Sequence, residues 1–153
     1  MEPEPKIEMI RMNKDLIPEA SNLLAGYLHA YDRQQMECAQ ILERLLDDQI
    51  AQCWLARFEK GYGGLMILAW SFSVSMGLPV LRVEALYTLP AYRKKGLAEK
   101  LLQHAIHIAK EHGAARLQLE TDDNNVPART LYAKYGFKCL PNKKVYMLLL
   151  SKK

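Results

Sequence analysis

The stretch "LPAYRKKGLAEKLL", residues 89–102, sets three cations (Arg93, Lys94 and Lys95) and Gly96 directly ahead of an apolar pattern with helical spacing. A tight turn from strand to helix points several backbone N–H groups into one small concavity. The helix's unpaired N-terminal donors and its dipole add positive potential there. Gly96 lets the backbone approach a ligand closely, and Ala98 is a second small residue that does not obstruct it. Each charge-assisted hydrogen bond contributes about 1.5–3 kcal/mol, so a handful would hold a diphosphate. No GxxxxGK[ST] and no GxGxxG occurs, so neither a P-loop nor a classical dinucleotide fold is supported. Taken alone, "RKKG" also fits a solvated basic loop.

Other reactive side chains point to blander roles. Cys38, Cys53 and Cys139 are widely spaced with no CxxC pair, which argues against a disulfide framework and a zinc site. They read as small buried or half-buried residues. His104 and His107 stand three apart without an HExxH or a completing carboxylate, so they read as solvent-facing histidines and no metal is expected. The net charge of +4 suits an anionic ligand but falls short of the basic stripe of a nucleic-acid binder. No apolar run approaches the roughly 18 residues that span a bilayer, and "MEPEPKIEM" lacks a signal-peptide layout. A cytoplasmic protein with no membrane partner is expected.

The elements that must position the basic turn follow from periodicity. The 153 residues are expected to form one domain, residues 1–153, with half of them apolar. "KIEMIRM" alternates as a first strand, after a loose terminus at 2–5. Asp15 sits where an N-cap would, with Pro18 in the first turn, and the 3.6-residue spacing predicts a helix to about Tyr31. A second helix is predicted from about Met36 to Asp48. "AQCWLARF", the turn "EKGYGG", and "LMILAWSFSV" read as a hairpin. A turn at 76–79 leads to the strand "VLRVEALYTL". From Gly96 a helical stripe runs to a glycine C-cap at Gly113, and "ARLQLE" alternates as a strand, giving a right-handed βαβ unit. A short helix from about Val126 to Tyr135 ends at Gly136, and "KVYMLLL" reads as a last strand.

The segment "LYTLPAYRKKGLAEKLL" resembles motif A of the GNAT superfamily of acetyl-CoA-dependent N-acetyltransferases, with Leu86, Thr88, Pro90, Arg93, Gly96 and Ala98 at the matching positions. "NNVPARTLYAKYGFK" is similar to the same family's later motif through Asn125, Ala128, Leu131, Tyr132, Gly136 and Phe137. The motifs stand in the family's order, separated by one helix and one strand. The resemblance covers about residues 81–150. Thr88 replaces a usual valine and Ala98 a usual glycine, neither of which disturbs the loop.

The resemblance implies an α/β (α+β) fold with a mixed, mostly antiparallel sheet of about six to seven strands, splayed at the centre, with helices on both faces. It implies acetyl-CoA as co-substrate. The pantetheine arm would lie along Leu86, Tyr87 and Thr88, and the diphosphate would rest on backbone N–H groups of Arg93, Lys94, Lys95, Gly96, Leu97 and Ala98. Asn125 would contact the cofactor, although helix capping explains it equally. Glu84 matches a glutamate that serves as base in several relatives, and it stands two residues before Leu86, on the same face of the strand; pairing with a neighbouring strand's cation is the plainer alternative. Tyr132 matches the tyrosine near the leaving sulfur, as acid to the thiolate, or as a packed side chain. The acceptor would be the amine of a small molecule or of a peptide or protein. Asp32 or Glu37 is a candidate to meet a cationic acceptor. Relatives often pair through their sheets, so the resemblance suggests a homodimer. A non-catalytic acyl-CoA-binding module is the alternative function.

Overall fold

The computed structural model describes residues 6–29 and 35–151, the side chains of 35 and 36 excepted. Tyr31, Asp32 and the terminal residues 2–5 lie outside them. Two compact units emerge, one running to Glu120 and one beginning at Thr121. The first holds β1 (Ile7–Arg11), α1 (Ile17–Tyr27), α2 (Gln35–Leu46), β2 (Ala51–Phe58), β3 (Gly61–Ser73), β4 (Leu78–Thr88), α3 (Leu97–Glu111) and β5 (Arg116–Leu119). Its five strands form one sheet in sequence order. The first four are antiparallel neighbours, and β5 runs parallel to β4 after the α3 crossover.

Helices cover both faces because the strands are apolar on both sides. Leu55, Leu65, Ile67 and Ala85 pack with Leu23, Leu24 and Leu42 of α1 and α2. Met66, Leu68, Leu81 and Val83 pack with Leu97, Leu101, Ala105 and Ile108 of α3. Leu101 and Leu65 are wholly buried; each such leucine stabilises by about 1.5–3 kcal/mol. Burial also pushes the Cys53 thiol up to about 12, which leaves it inert. No helix among the described residues is long and apolar enough to cross a membrane.

Local details correct the sequence reading. Asn13, not Asp15, accepts the capping hydrogen bond, from the Leu16 N–H at 3.2 Å, at the start of a short 3-10 turn that carries Asp15. α1 ends at Tyr27, and α2 stops at Leu46, two residues before Asp48. Asp48 instead turns the chain into β2, its carboxylate accepting from the N–H groups of Ile50 and Ala51.

Two bulges were invisible in the pattern. In β3, Ala56 faces Gly64 and Arg57 faces Tyr62, so Gly63 is extra. In β4, Ile67 faces Ala85 and Leu68 faces Val83, so Glu84 is extra. The second slip flips the alternation: Leu81 and Val83 meet the α3 cluster, Ala85 the α1/α2 cluster, and Leu86 the α3 side again. The spacing of Glu84 and Leu86 is therefore not a simple same-face relation.

His104 is half-buried rather than solvent-facing. Its ring meets Trp54 edge-on at 4.2 Å, and its Nε2 is buried without a hydrogen-bond partner. His107 bonds Glu111 at 3.1 Å. Burial, then the nearby His107, lower the His104 pKa below 6.5, with Glu111 opposing. The unfolded chain thus binds the proton more readily, so this stability is present above about pH 6.5 and lost as pH falls towards the depressed folded value. We expect the thermal midpoint to fall on acidification from pH 7.5 to about 5 and the fall to be shallower in His104→Leu, with parallel curves counting against the assignment.

The second unit contains α4 (Val126–Lys134), close to the predicted helix, with Gly136 beyond its end at a φ of +86°. The expected last strand at 144–150 falls in this unit and has no regular secondary structure. Among the described residues the sheet has five strands, fewer than the six to seven expected.

Candidate functional site

β4 carries the chain to the basic turn. β5 pairs with it only from Val80 to Val83, so the segment from Glu84 to Thr88 continues past its parallel neighbour. On its other side this segment keeps its ladder to β3 as far as the Gly64–Thr88 pair. One edge of Leu86, Tyr87 and Thr88 thus extends beyond β5, as a splayed sheet requires. The Thr88 hydroxyl oxygen is buried and lacks a hydrogen-bond partner. Such an atom costs about 1–3 kcal/mol unless something bonds it.

The turn itself is built by conformation. A short 3-10 turn, Pro90–Tyr92, leads to Arg93, whose Nε donates to the Thr88 carbonyl at 3.2 Å. Lys94 and Gly96 have positive φ, +63° and +85°, and Gly96 is the N-cap of α3 without a side-chain cap. Alternation of this kind turns successive amides inward as an anion nest. The N–H groups of Leu97, Ala98 and Glu99 open the helix and have no carbonyl a turn earlier to receive them. Two of the three cations are turned elsewhere. Arg93 ties the loop to β4, and the Lys95 ammonium lies 5.5 Å from the Phe58 ring centroid.

Tyr92, which the sequence gave no reason to single out, sets the loop's height above the sheet. Its ring lies where side chains at Gly61 and Gly63 would stand, and it meets Phe58 edge-on at 6.2 Å. Glycines two apart in a strand are the signal of a ring lying on that face. On the opposite face Tyr87 lies against Gly26 of α1, where an added Cβ would come within 2.7 Å of the ring. Tyr27 stacks edge-on to Tyr87 at 6.3 Å, and its hydroxyl donates to the carbonyl of Glu84 at 3.4 Å.

The Glu84 carboxylate accepts from Arg82 Nε at 3.0 Å, and Arg82 also donates to Glu120 at 2.7 Å. Glu120 first, then Glu84, raises the Arg82 pKa, so the guanidinium is a fixed charge between two carboxylates. A cation does pair with Glu84, but it comes from the same strand and not from the neighbouring strand anticipated. Glu84 keeps 45% of its side chain exposed. In the second unit, Asn125 caps α4 by accepting from the Ala128 N–H at 3.4 Å. The Tyr132 ring packs 5.6 Å from Phe137, and its carbonyl receives the N–H groups of Tyr135 and Phe137 beyond the helix end.

Comparison with known proteins gives this geometry a family. Residues 17–137, most of the first unit and about half of the second, match the acetyltransferase (GNAT) family. Streptothricin acetyltransferase of Streptomyces lavendulae is 39% identical over 57 residues, 37% of this chain and 30% of that protein. The aligned stretches span about a third of the length of such curated relatives. A ribosomal-protein-alanine N-acetyltransferase from Brucella melitensis biovar Abortus 2308 superimposes with a TM-score of 0.79 at 23% identity, over 95% of this chain and 100% of that one. An aminoglycoside N-acetyltransferase solved with CoA gives 0.80 at 16%, over 94% and 95%. At these identities the superpositions speak for the fold. The family match over residues 17–137, well over half of the chain, makes it a member of the acetyltransferase (GNAT) family.

Proposed function

We propose that the protein transfers the acetyl group of acetyl-CoA directly to a primary amine. The observation that carries this reading is the nest of amides from Lys94 to the open end of α3, at the end of a strand that outruns its parallel neighbour. The chain fits the co-substrate on its own terms: uncapped amides for the diphosphate, and the unpartnered Thr88 hydroxyl beside the segment assigned to the pantetheine arm. Acetyl-CoA supplies an activated thioester, and the residues from Leu86 to Ala98 bind and orient it.

The acceptor must lose a proton. An amine of pKa near 10.4 costs roughly 4–5 kcal/mol to deprotonate at pH 7. Glu84 is the proposed base, directly or through water, because it is exposed at the bulge where β5 leaves off. Arg82 and Glu120 hold its carboxylate in place and so act as positioning residues. Tyr132 is proposed as acid to the departing thiolate, and Asn125 as a cofactor contact in addition to its capping role. The relatives' names point to both small-molecule and protein amines, and either class suits this reading.

The test is release of free thiol from acetyl-CoA across a panel of amines. Turnover with at least one supports the proposal; tight acetyl-CoA binding with no release for any acceptor favours the non-catalytic module. The ion pair that already occupies Glu84 is the observation on that side. If Glu84 is the base, Glu84→Gln displaces the rise in rate to higher pH, because only the free amine then reacts. An unchanged profile removes it from the mechanism. Tyr132→Phe should slow turnover without abolishing it.

A further inference from the structure

We infer that Tyr27, the last residue of α1, is a positioning residue for Glu84: its hydroxyl holds the main chain of the bulge from which the carboxylate projects. The inference rests on the reading of Glu84 as base. Glu84 faces no residue of either neighbouring strand, since the pairing with β3 skips from Val83 to Ala85 and that with β5 stops at Val83. A bulged residue stands outside the regular ladder, so the sheet fixes its peptide planes less tightly than those of its neighbours. The Tyr27 hydroxyl supplies a partner from outside the sheet, donating to the Glu84 carbonyl at 3.4 Å.

The end of α1 is shaped to bring that hydroxyl in. Gly26 lies in the last turn of the helix, where glycine is a poorer choice than alanine. The Tyr87 ring gives the reason. A Cβ at position 26 would stand 2.5 Å from the Tyr87 hydroxyl oxygen and 2.7 Å from its Cε2. With the ring lying in this notch, α1 approaches β4 closely, and the next residue, Tyr27, meets Tyr87 edge-on and Glu84 at its carbonyl.

Glu84 is thereby held at both ends. Arg82 Nε donates to its carboxylate at 3.0 Å, with Glu120 behind Arg82 at 2.7 Å, while Tyr27 holds its carbonyl. One anchor on the side chain and one on the main chain restrict the direction in which the carboxylate points. That restriction matters for a base, which has to stay within about 0.5 Å of its productive place. Tyr27 contributes it without itself exchanging a proton.

Steady-state kinetics of Tyr27→Phe test this, because the variant keeps the ring and loses only the hydroxyl. Turnover should fall about three- to tenfold while the KM for acetyl-CoA and the melting midpoint stay as in the wild type. The rise in rate with pH should move upward, part of the way towards the Glu84→Gln profile. Arg82 and Glu120, the charged groups about the carboxylate, and the Tyr87 phenol are untouched by the change, so the shift reports the base itself. In a Glu84→Gln background the same substitution should cost nothing further, since Tyr27 then has no base to position. An equal loss in both backgrounds, or an unchanged turnover and profile, overturns the proposal. The base reading fails separately, through a Glu84→Gln enzyme that keeps the wild-type profile. The carbonyl-carbon NMR shift of Glu84 reads the hydrogen bond without any acceptor: it should move in Tyr27→Phe, and an unmoved shift also overturns the proposal.

Discussion

Replacing Gly96 with valine is expected to weaken coenzyme A binding at least about tenfold, and the loss arises from the backbone alone. Gly96 has φ +85°, and no atom lies within 4 Å of where a Cβ would stand. Crowding plays no part. A β-branched residue held in this region costs about 1–3 kcal/mol. The chain escapes the strain by rotating Gly96 out of the left-handed region, which disperses the amides from Lys94 to Ala98. Each lost charge-assisted bond to the diphosphate is worth about 1.5–3 kcal/mol, and 1.4 kcal/mol is a factor of ten. Gly113, just past the other end of α3, is a matched control. It has φ +65° and equally empty surroundings. Gly113→Val should lower the melting midpoint by a similar few degrees and leave the affinity unchanged. Calorimetric titration of coenzyme A into both variants decides; equal affinities would detach the Gly96 turn from the binding site.

Gly63→Val should be the most destabilising single change in the sheet, at about 3 kcal/mol or more. An added Cβ there runs into the Tyr92 ring and comes within 2.8 Å of Leu97 Cδ2. Overpacking of this kind costs about 1–3 kcal/mol, occasionally more. The bulge adds to it, because the Gly63 carbonyl accepts the Leu89 N–H at 2.9 Å and so locates the chain entering the basic turn. Urea unfolding should show the loss, and coenzyme A affinity should fall with it. Adding Tyr92→Ala makes room for the new side chain, so the double variant should be more stable than the sum of the two single losses. Strict additivity would mean that the ring is not what Gly63 accommodates.

Much of the positioning frame was legible in the sequence because periodicity encodes burial. α3, the flanking strands and the glycine stops at Gly96, Gly113 and Gly136 come directly from the 3.6- and 2-residue repeats and from the residue type that tolerates positive φ. The turn ahead of α3, with Gly96 at positive φ, was legible for the same reason. Single insertions were not, since a bulge adds a residue without altering composition, and both Gly63 and Glu84 sit in runs that read as unbroken strands. Side-chain destinations were also hidden. Arg93 and Lys95 were read as cations of the mouth, yet Arg93 bonds the Thr88 carbonyl, and Lys95 lies over Phe58, a contact that depends on the β2–β3 turn reaching the same end of the sheet. His104 was misjudged because its neighbour Trp54 is fifty residues away in sequence. The Asn13 cap was missed because a 3-10 turn intervenes before α1.

The one-residue slip at Glu84 works like a change of reading frame within β4. Upstream, odd-numbered positions such as Leu81 and Val83 meet α3; downstream, Leu86 does, while Ala85 and Tyr87 turn to α1. Deleting this single codon would leave an unbroken ladder, with Val83 still opposite Leu68 and Ala85 opposite Ile67, and every remaining side chain would keep its present face. Any library that randomises β4, or any alignment that threads it without a gap, has to invert its inside–outside rule at that point.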